Sequence, residues 1–408
     1  MIILNRVQDC IDQVLRENQA GFRRNRGCCD HIFLLRNIIE QSEEWQSPVI
    51  LNFIDFKRAF DSVHRESIWK ILKCYGFPDK IIEVIKSMYE GSSNCVRVEN
   101  QHTEWFDITT GVRQGDVLSP VLFNIVIDWI MRKVDMNTNG GIQWKNNTRL
   151  KDIEYADDVC LGASNVDQMV ELTNSLATEA KKVGLEVNIN KSKVMRFHIE
   201  DDSDILLEGE ALENVDHFSY LGSELNTNGD IRREVNIRIG KAGITFKRLQ
   251  KVWSNTGIST RLKIRLFNSL VLPVLLYGSE TWKGLKEVEE RLRRFESNCL
   301  RKIMKIRWYD HISEEELRLR SGQESVVKKL GRNRWRYLGH VLRMDDSRLA
   351  KQVLGWKPDG RGSVGRLKET WRRTLERDIR LHGTNWNELE DLAQDRKQWR
   401  TITDLWAT

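Results

Sequence analysis

The chain has 408 residues, 40% hydrophobic and 30% charged, an ordinary globular composition with room for two or three domains. No run of 18 apolar residues occurs. The start "MIILNRVQDCIDQVLRENQ" has an acid at position 9 and no small-residue cleavage site, so neither a membrane-spanning helix nor a secretory signal is expected.

The net charge of +6 hides a split. Residues 231–408 hold 40 Lys and Arg against 22 Asp and Glu, a net of +18, while residues 1–230 hold 25 against 37, a net of −12. A basic part of this kind suits a polyanion, with a plain solvated helical surface as the alternative. Seven cysteines, none in a C-x-x-C pair, fit a reducing compartment without a disulfide framework or structural zinc.

In chain order, residues 1–47 read as helical around the interruption "GFRRNRGCC". "SPVILNFIDF" is a short β-branched apolar run ending in Asp55, the pattern of a buried strand. "RESIWKILKCYG" and "PDKIIEVIKSMYEG" read as helices stopped by Gly76 and Gly91, and residues 94–108 as a hairpin. "SPVLFNIVIDWIMRKV" predicts a helix with Ser119 as N-cap and Pro120 at the first helical position.

"RLKDIEYADDVCLGAS" reads strand–turn–strand. "VDQMVELTNSLATEAKKVG" is an amphipathic helix, "LEVNINKSKVMRF" returns to strand, and "HFSYLGSEL" offers a further short strand pair. Beyond residue 230 the pattern is helix after helix, rich in Arg and Lys. Nine of the 14 Trp fall there, Trp335 and Trp371 among them, either as anchors of helical cores or as stacking surfaces for bases.

The stretch "IEYADDVCLG", residues 153–162, poses the chemical question. Asp157 and Asp158 sit side by side between apolar, β-prone runs, where adjacent anions repel and lose hydration. A turn explains a lone Asp pair well enough. With Asp55 ending another buried strand, however, the three carboxylates could converge on hard divalent cations, and a pair of such ions serves in-line phosphoryl transfer.

Six segments together resemble reverse transcriptases. "YADD" (155–158) is similar to their motif C hairpin, "FIDFKRAFDSV" (53–63) to motif A, and "TGVRQGDVLSPVLFNIVID" (110–128) to motif B. "GLEVNINKSKV" (184–194) is similar to motif D, "FSYLG" (218–222) to motif E, and "QAGFRRNRGCCDHIFLL" (19–35) to the fingers motif ahead of motif A. The best match is the enzyme of LINE-type, non-LTR retrotransposons, with the RTE-like group as the suggested subgroup. "LVLPVLLYGSETW", "RWRYLGHVLRM" and "GRGSVGRLKETWRR" extend the resemblance into its thumb and C-terminal segments.

The resemblance implies an α+β right-hand polymerase fold: partial fingers over 1–47, an antiparallel-sheet palm over 48–230, a helical thumb over 231–310 and a basic helical region over 311–408. It implies an RNA-directed DNA polymerase using two Mg²⁺, with Mn²⁺ as a substitute. Asp55, Asp157 and Asp158 would be the catalytic metal ligands. Phe60 would be the gate that excludes a 2′-hydroxyl, and Gln114 and Gly115 would line the nascent base pair.

Arg23 and Arg26 would lie over the triphosphate, Lys191 would assist the leaving pyrophosphate, and Tyr220, Leu221 and Gly222 would grip the primer. Read as residues alone, Phe60 fits core packing, the arginines a solvated loop and Lys191 a surface position. Asp61 reads as a helix cap. The implied partners are an RNA template, a DNA primer and dNTPs, with no membrane and with a separate endonuclease. The implied location is an intracellular ribonucleoprotein, nuclear or cytoplasmic, and not secreted. The match begins so near the start that an N-terminally truncated copy is expected. Two rival readings are a remnant that only binds nucleic acid and a metal-dependent nuclease; a nuclease needs neither triphosphate arginines nor a sugar gate.

Overall fold

Every residue of the run VILNFI is buried, and together they form β1 (Val49–Ile54). The computed structural model of the protein describes residues 2–145, 148–360, 362 and 368–406. Strand β1 is the middle of a five-stranded sheet whose other members are β2 (Asp152–Tyr155), β3 (Asp158–Ala163), β4 (Lys193–Phe197) and β5 (Glu213–Asn214), in the order β5-β4-β1-β3-β2. β1 runs antiparallel to both neighbours, with Ile54 opposite Val159 on one side and Phe53 opposite Lys193 on the other. β4 and β5 are parallel. The polar member of β1, Asn52, is fully buried and donates to Thr173 Oγ1 at 2.9 Å.

The chain divides into two compact units. The first comprises residues 1–31, 41–218 and 356–362. Around its sheet stand α1 (Ile2–Val14), α2 (Cys28–Trp45, whose residues 32–40 belong to the second unit), α3 (Ala59–Ser62), α4 (Arg65–Cys74), α5 (Asp79–Tyr89), α6 (Ser119–Asn137) and α7 (Val166–Lys182). α6 is deeply buried, with Val121, Leu122, Phe123, Ile125, Val126 and Ile127 all in the core. Burying each such side chain contributes roughly 1.5–3 kcal/mol.

Two expectations about caps are corrected. Ser119 is already the first helical residue and Leu118 occupies the N-cap. Asp61 lies inside α3, and the N-cap of α4 is His64. The hairpin expected over 94–108 is two short ladders, Ser93–Asn94 with Phe106–Asp107 and Arg97–Val98 with Gln101–His102.

The second unit comprises residues 32–40, 219–355 and 363–408. It is built mainly of helices, including α8 (Arg232–Arg248), α9 (Lys286–Met304), α10 (Val326–Leu342), α11 (Trp371–Leu381), α12 (Trp386–Gln394) and α13 (Arg396–Trp406). Trp253, Trp282, Trp335 and Trp371 are buried in it. Trp335 stands against Trp406 at 5.1 Å between ring centroids, and Trp399 donates its indole N–H to the Trp335 carbonyl at 3.1 Å. Of the two readings of Trp335 and Trp371, the core anchor is the one the structure shows. Part of the C-terminal segment 360–373, namely residues 361 and 363–367, lies outside the described residues. Among the described residues no helix is long and apolar enough to cross a membrane.

Candidate active site

The pairing of β1 with β3 sets the site. Because Ile54 faces Val159, continuing the register one residue past the end of β1 brings Asp55 opposite Asp158. Asp157 occupies the two-residue turn between β2 and β3, which Tyr155 and Asp158 close as a pair. The first turn residue, Ala156, has φ 58° while Asp157 does not have positive φ, as in a type II′ turn. Such turns favour Gly at the first position, and a left-handed Ala costs about 1–2 kcal/mol. Three carboxylates from two adjacent strands and their turn therefore share one sheet end.

Their electrostatics show the crowding. Partial removal from water raises the Asp157 carboxyl, and the charge of Asp55 adds to it. The Asp158 carboxyl is pushed up to about 6, first by loss of water around it, then by Asp157 and Asp55. Such like-charge strain is what a bound cation relieves. The donor set, all hard carboxylate oxygens, suits Mg²⁺. Among the described residues, however, no group of three or more His, Cys, Asp and Glu side chains is disposed to hold a metal ion as it stands. Lys191, exposed, reaches Asp55 at 3.8 Å.

The other expected residues fall into place unevenly. Phe60 is partly buried and stacks on Phe123 at 4.3 Å between centroids. Gln114 donates from Nε2 to Asp61 Oδ1 at 3.1 Å, and Gly115 beside it takes φ +89° in open space. Asp61 thus meets the motif B loop and caps nothing.

The two arginines depart from expectation: both are committed to the fold. Arg23 is buried, donating to the Asp12 carboxylate at 3.0 Å and to the carbonyls of Asp12, Arg16 and Gln19. Arg26 donates to the carbonyl and carboxylate of Glu17. The reason is local. α1 and the turn after it return beside the loop and present carbonyls and acids, which an arginine fork satisfies several at a time.

In the second unit, Tyr220 is buried and leads a turn in which Leu221 (φ 48°) and Gly222 (φ 75°) are both left-handed, joining β6 (His217–Tyr220) to β7 (Ser223–Asn226). Tyr277 donates its hydroxyl to the Leu221 carbonyl at 2.8 Å, and Arg238 donates to the Gly222 carbonyl. Arg238 is itself paired with Glu234 at 2.8 Å.

Sequence reasoning missed a buried charged cluster beside the YADD turn. Arg16 pairs with Asp152 at 2.8 Å and with Glu154, and its backbone N–H donates to Asp128 at 2.9 Å. Burial disfavours the Arg16 charge, but the three carboxylates outweigh it and hold the group protonated. Burial raises the Glu154 carboxyl well above the usual range, while Arg16 holds the Asp152 carboxyl below it against its own burial. One signal was legible: Asp152 and Glu154 share a face of a short strand, and two buried acids on one face need a cation.

Comparison with known proteins gives the family. The model of the family described as reverse transcriptase (RNA-dependent DNA polymerase) matches residues 1–225, and that of a domain of unknown function matches 245–277. An uncharacterized transposon-derived protein of Caenorhabditis elegans is 26% identical over 63% of this chain and 96% of its own length. The RNA-directed DNA polymerase from the mobile element jockey of Drosophila melanogaster is 23% identical over 81% of this chain and 36% of its own, so the chain spans about a third of that protein. Apo telomerase from Candida tropicalis is similar at a TM-score of 0.46, 15% identical, over 95% of this chain and 60% of that one.

Proposed function

Because the chain belongs to the reverse transcriptase family, with LINE-type, non-LTR relatives, we propose that it is an RNA-directed DNA polymerase that extends a primer 3′-hydroxyl with dNTPs. The observation that carries this reading is the juxtaposition of Asp55 with Asp157 and Asp158 at one end of the sheet. Asp55, Asp157 and Asp158 would hold Mg²⁺, with Mn²⁺ as a substitute. The cation would supply the positive charge that a transferring phosphoryl group requires.

The chain's own residues would do the rest. The three carboxylates, fixed by strand register, set where the reacting oxygens meet, and positioning accounts for much of such catalysis. Phe60, braced by Phe123, would present the ring that excludes a 2′-hydroxyl. Gln114 and Gly115 line the base pair. Lys191, close enough to Asp55 to move toward the leaving pyrophosphate, offers it a charge and a proton. Tyr220, Leu221 and Gly222 bear on the primer. An RNA template and a DNA primer would be tracked by the basic residues beyond 230, within a nuclear or cytoplasmic ribonucleoprotein, with an endonuclease supplied separately.

The test is primer extension on an RNA template with Mg²⁺ and dNTPs, beside Asp157→Asn. Extension by the unaltered protein and a loss on the order of 10³-fold in the variant are expected, since several kcal/mol of charge stabilisation are at stake. One observation favours the competing reading, a remnant that binds nucleic acid only: Arg23 is engaged by four hydrogen bonds within the fold and Arg26 is tied to Glu17. Primer–template binding without extension under either metal would establish it.

A further inference from the structure

Gln19 is fully buried, and its side chain is aimed at the YADD turn. Its Oε1 accepts the backbone N–H of Ala156 at 2.9 Å and that of Gly21 at 2.8 Å. Its Nε2 donates to Glu154 Oε2 at 3.2 Å and to the Ala156 carbonyl at 3.4 Å. One amide thus binds both backbone groups of the strained residue that precedes Asp157.

The neighbourhood reinforces the grip. Ala20 donates its backbone N–H to the Glu154 carbonyl, and Glu154 returns its own to the Asn18 carbonyl. Gly21 lies so close that a Cβ there would overlap the Ala156 backbone nitrogen. Its carbonyl in turn is held by Asn124 of α6 at 2.6 Å. A left-handed Ala persists only where its surroundings over-determine it. The side chain chosen for that task comes from the segment ahead of the palm, 137 positions away in sequence.

We propose that Gln19 is a positioning residue for the catalytic turn: it locks Ala156 in its left-handed conformation and thereby fixes the direction in which Asp157 leaves the turn. This rests on the polymerase reading for its catalytic consequence, but not for the lock itself. A side chain without hydrogen bonds frees Ala156 to relax, and Asp157 moves with it. A displacement of about 1 Å costs on the order of 10²-fold in rate.

The experiment compares the unaltered chain with Gln19→Met, which keeps volume and loses every hydrogen bond, and Gln19→Glu, which keeps the acceptor and loses the donors. Trp69→Leu, in the core of α4, serves as a control for general destabilisation. Hydrogen–deuterium exchange over residues 153–160 and steady-state primer extension are both read.

Gln19→Met is expected to speed exchange in that peptide about tenfold or more. It should also lower kcat by about 10- to 100-fold with the KM for dNTP within twofold. Gln19→Glu should fall between, and Trp69→Leu should leave that peptide protected. Unchanged exchange in Gln19→Met, or equal loosening in Trp69→Leu, overturns the lock. Faster exchange with kcat intact overturns its catalytic role. Should Gln19→Met not fold, Gln19→Glu carries the same two readouts. If the unaltered chain extends no primer, the polymerase reading fails while the exchange comparison still decides the lock.

Discussion

The guanidinium of Arg238 lies 4.4 Å from the centroid of the Tyr277 ring, and between them the two side chains cap both carbonyls of the Leu221–Gly222 turn. Tyr277→Phe removes one hydrogen bond and should lower stability by about 1 kcal/mol. Arg238→Ala removes the ion-pair partner of the buried Glu234, which keeps only the Glu224 N–H, the Ser223 hydroxyl and the nearby charge of Arg36, so about 3 kcal/mol is expected. Urea unfolding measures both. If the turn grips primer, the two variants also weaken primer–template binding in that order, and equal binding by both would count against the grip.

Phe60 is stacked on Phe123 rather than free to swing. Phe60→Val should therefore raise rNTP use relative to dNTP by roughly 10²-fold, the scale on which an apolar pocket rejects an added hydroxyl. Competing incorporation of the two nucleotides by the purified protein reads the ratio. An unchanged ratio with extension intact would assign Phe60 to core packing alone.

Gly339 sits within α10, and a Cβ there would overlap the indole of Trp399. Alanine normally favours a helix over glycine by about 1 kcal/mol. Here the sign should reverse: Gly339→Ala is expected to cost about 2 kcal/mol through overpacking and to loosen α13. Thermal unfolding and proteolysis near residue 396 report the two effects.

Glu296 is buried, which raises its carboxyl above the ordinary value; the Val326 N–H and the charges of Lys329 and Arg318 only partly oppose this. The unfolded chain then ionises first as pH rises, so folding loses stability through the ordinary Glu range and up to the raised value, and the deficit persists above it. Glu296→Gln, which cannot ionise, should gain on the unaltered chain as pH rises from about 4 to about 7. Denaturant melts at the two pH values decide the matter.

The apolar run at 49–54 and the paired acids at 157–158 were readable because their signals are local: a run of apolar residues, and a polar turn between two strands. The helices from α4 to α7 followed likewise from periodicity and stop signals. What could not be read was long-range. Nothing near Gln19 announces a partner at Ala156, and nothing near Arg23 says that its loop will turn back to Asp12 of α1. Loop arginines look alike in sequence whether they face a phosphate or a carbonyl. Leu118 displaced the expected cap of α6 because that helix begins in buried, tertiary surroundings where capping chemistry does not decide the start, and α4 simply starts later than expected, at the exposed His64.

The backbone exchange between Asn18, Ala20 and Glu154 has a consequence for solubility. β2 is the outermost strand on its side, and a strand so placed offers unpaired N–H and C=O groups on which a second molecule can build. Here Asn18 and Ala20 already occupy those groups, and Gln19 bridges to Glu154 in parallel fashion. The opposite margin, β5, is only two residues long. The stretch that steadies the catalytic turn is therefore also the guard that keeps this sheet from growing into its neighbours.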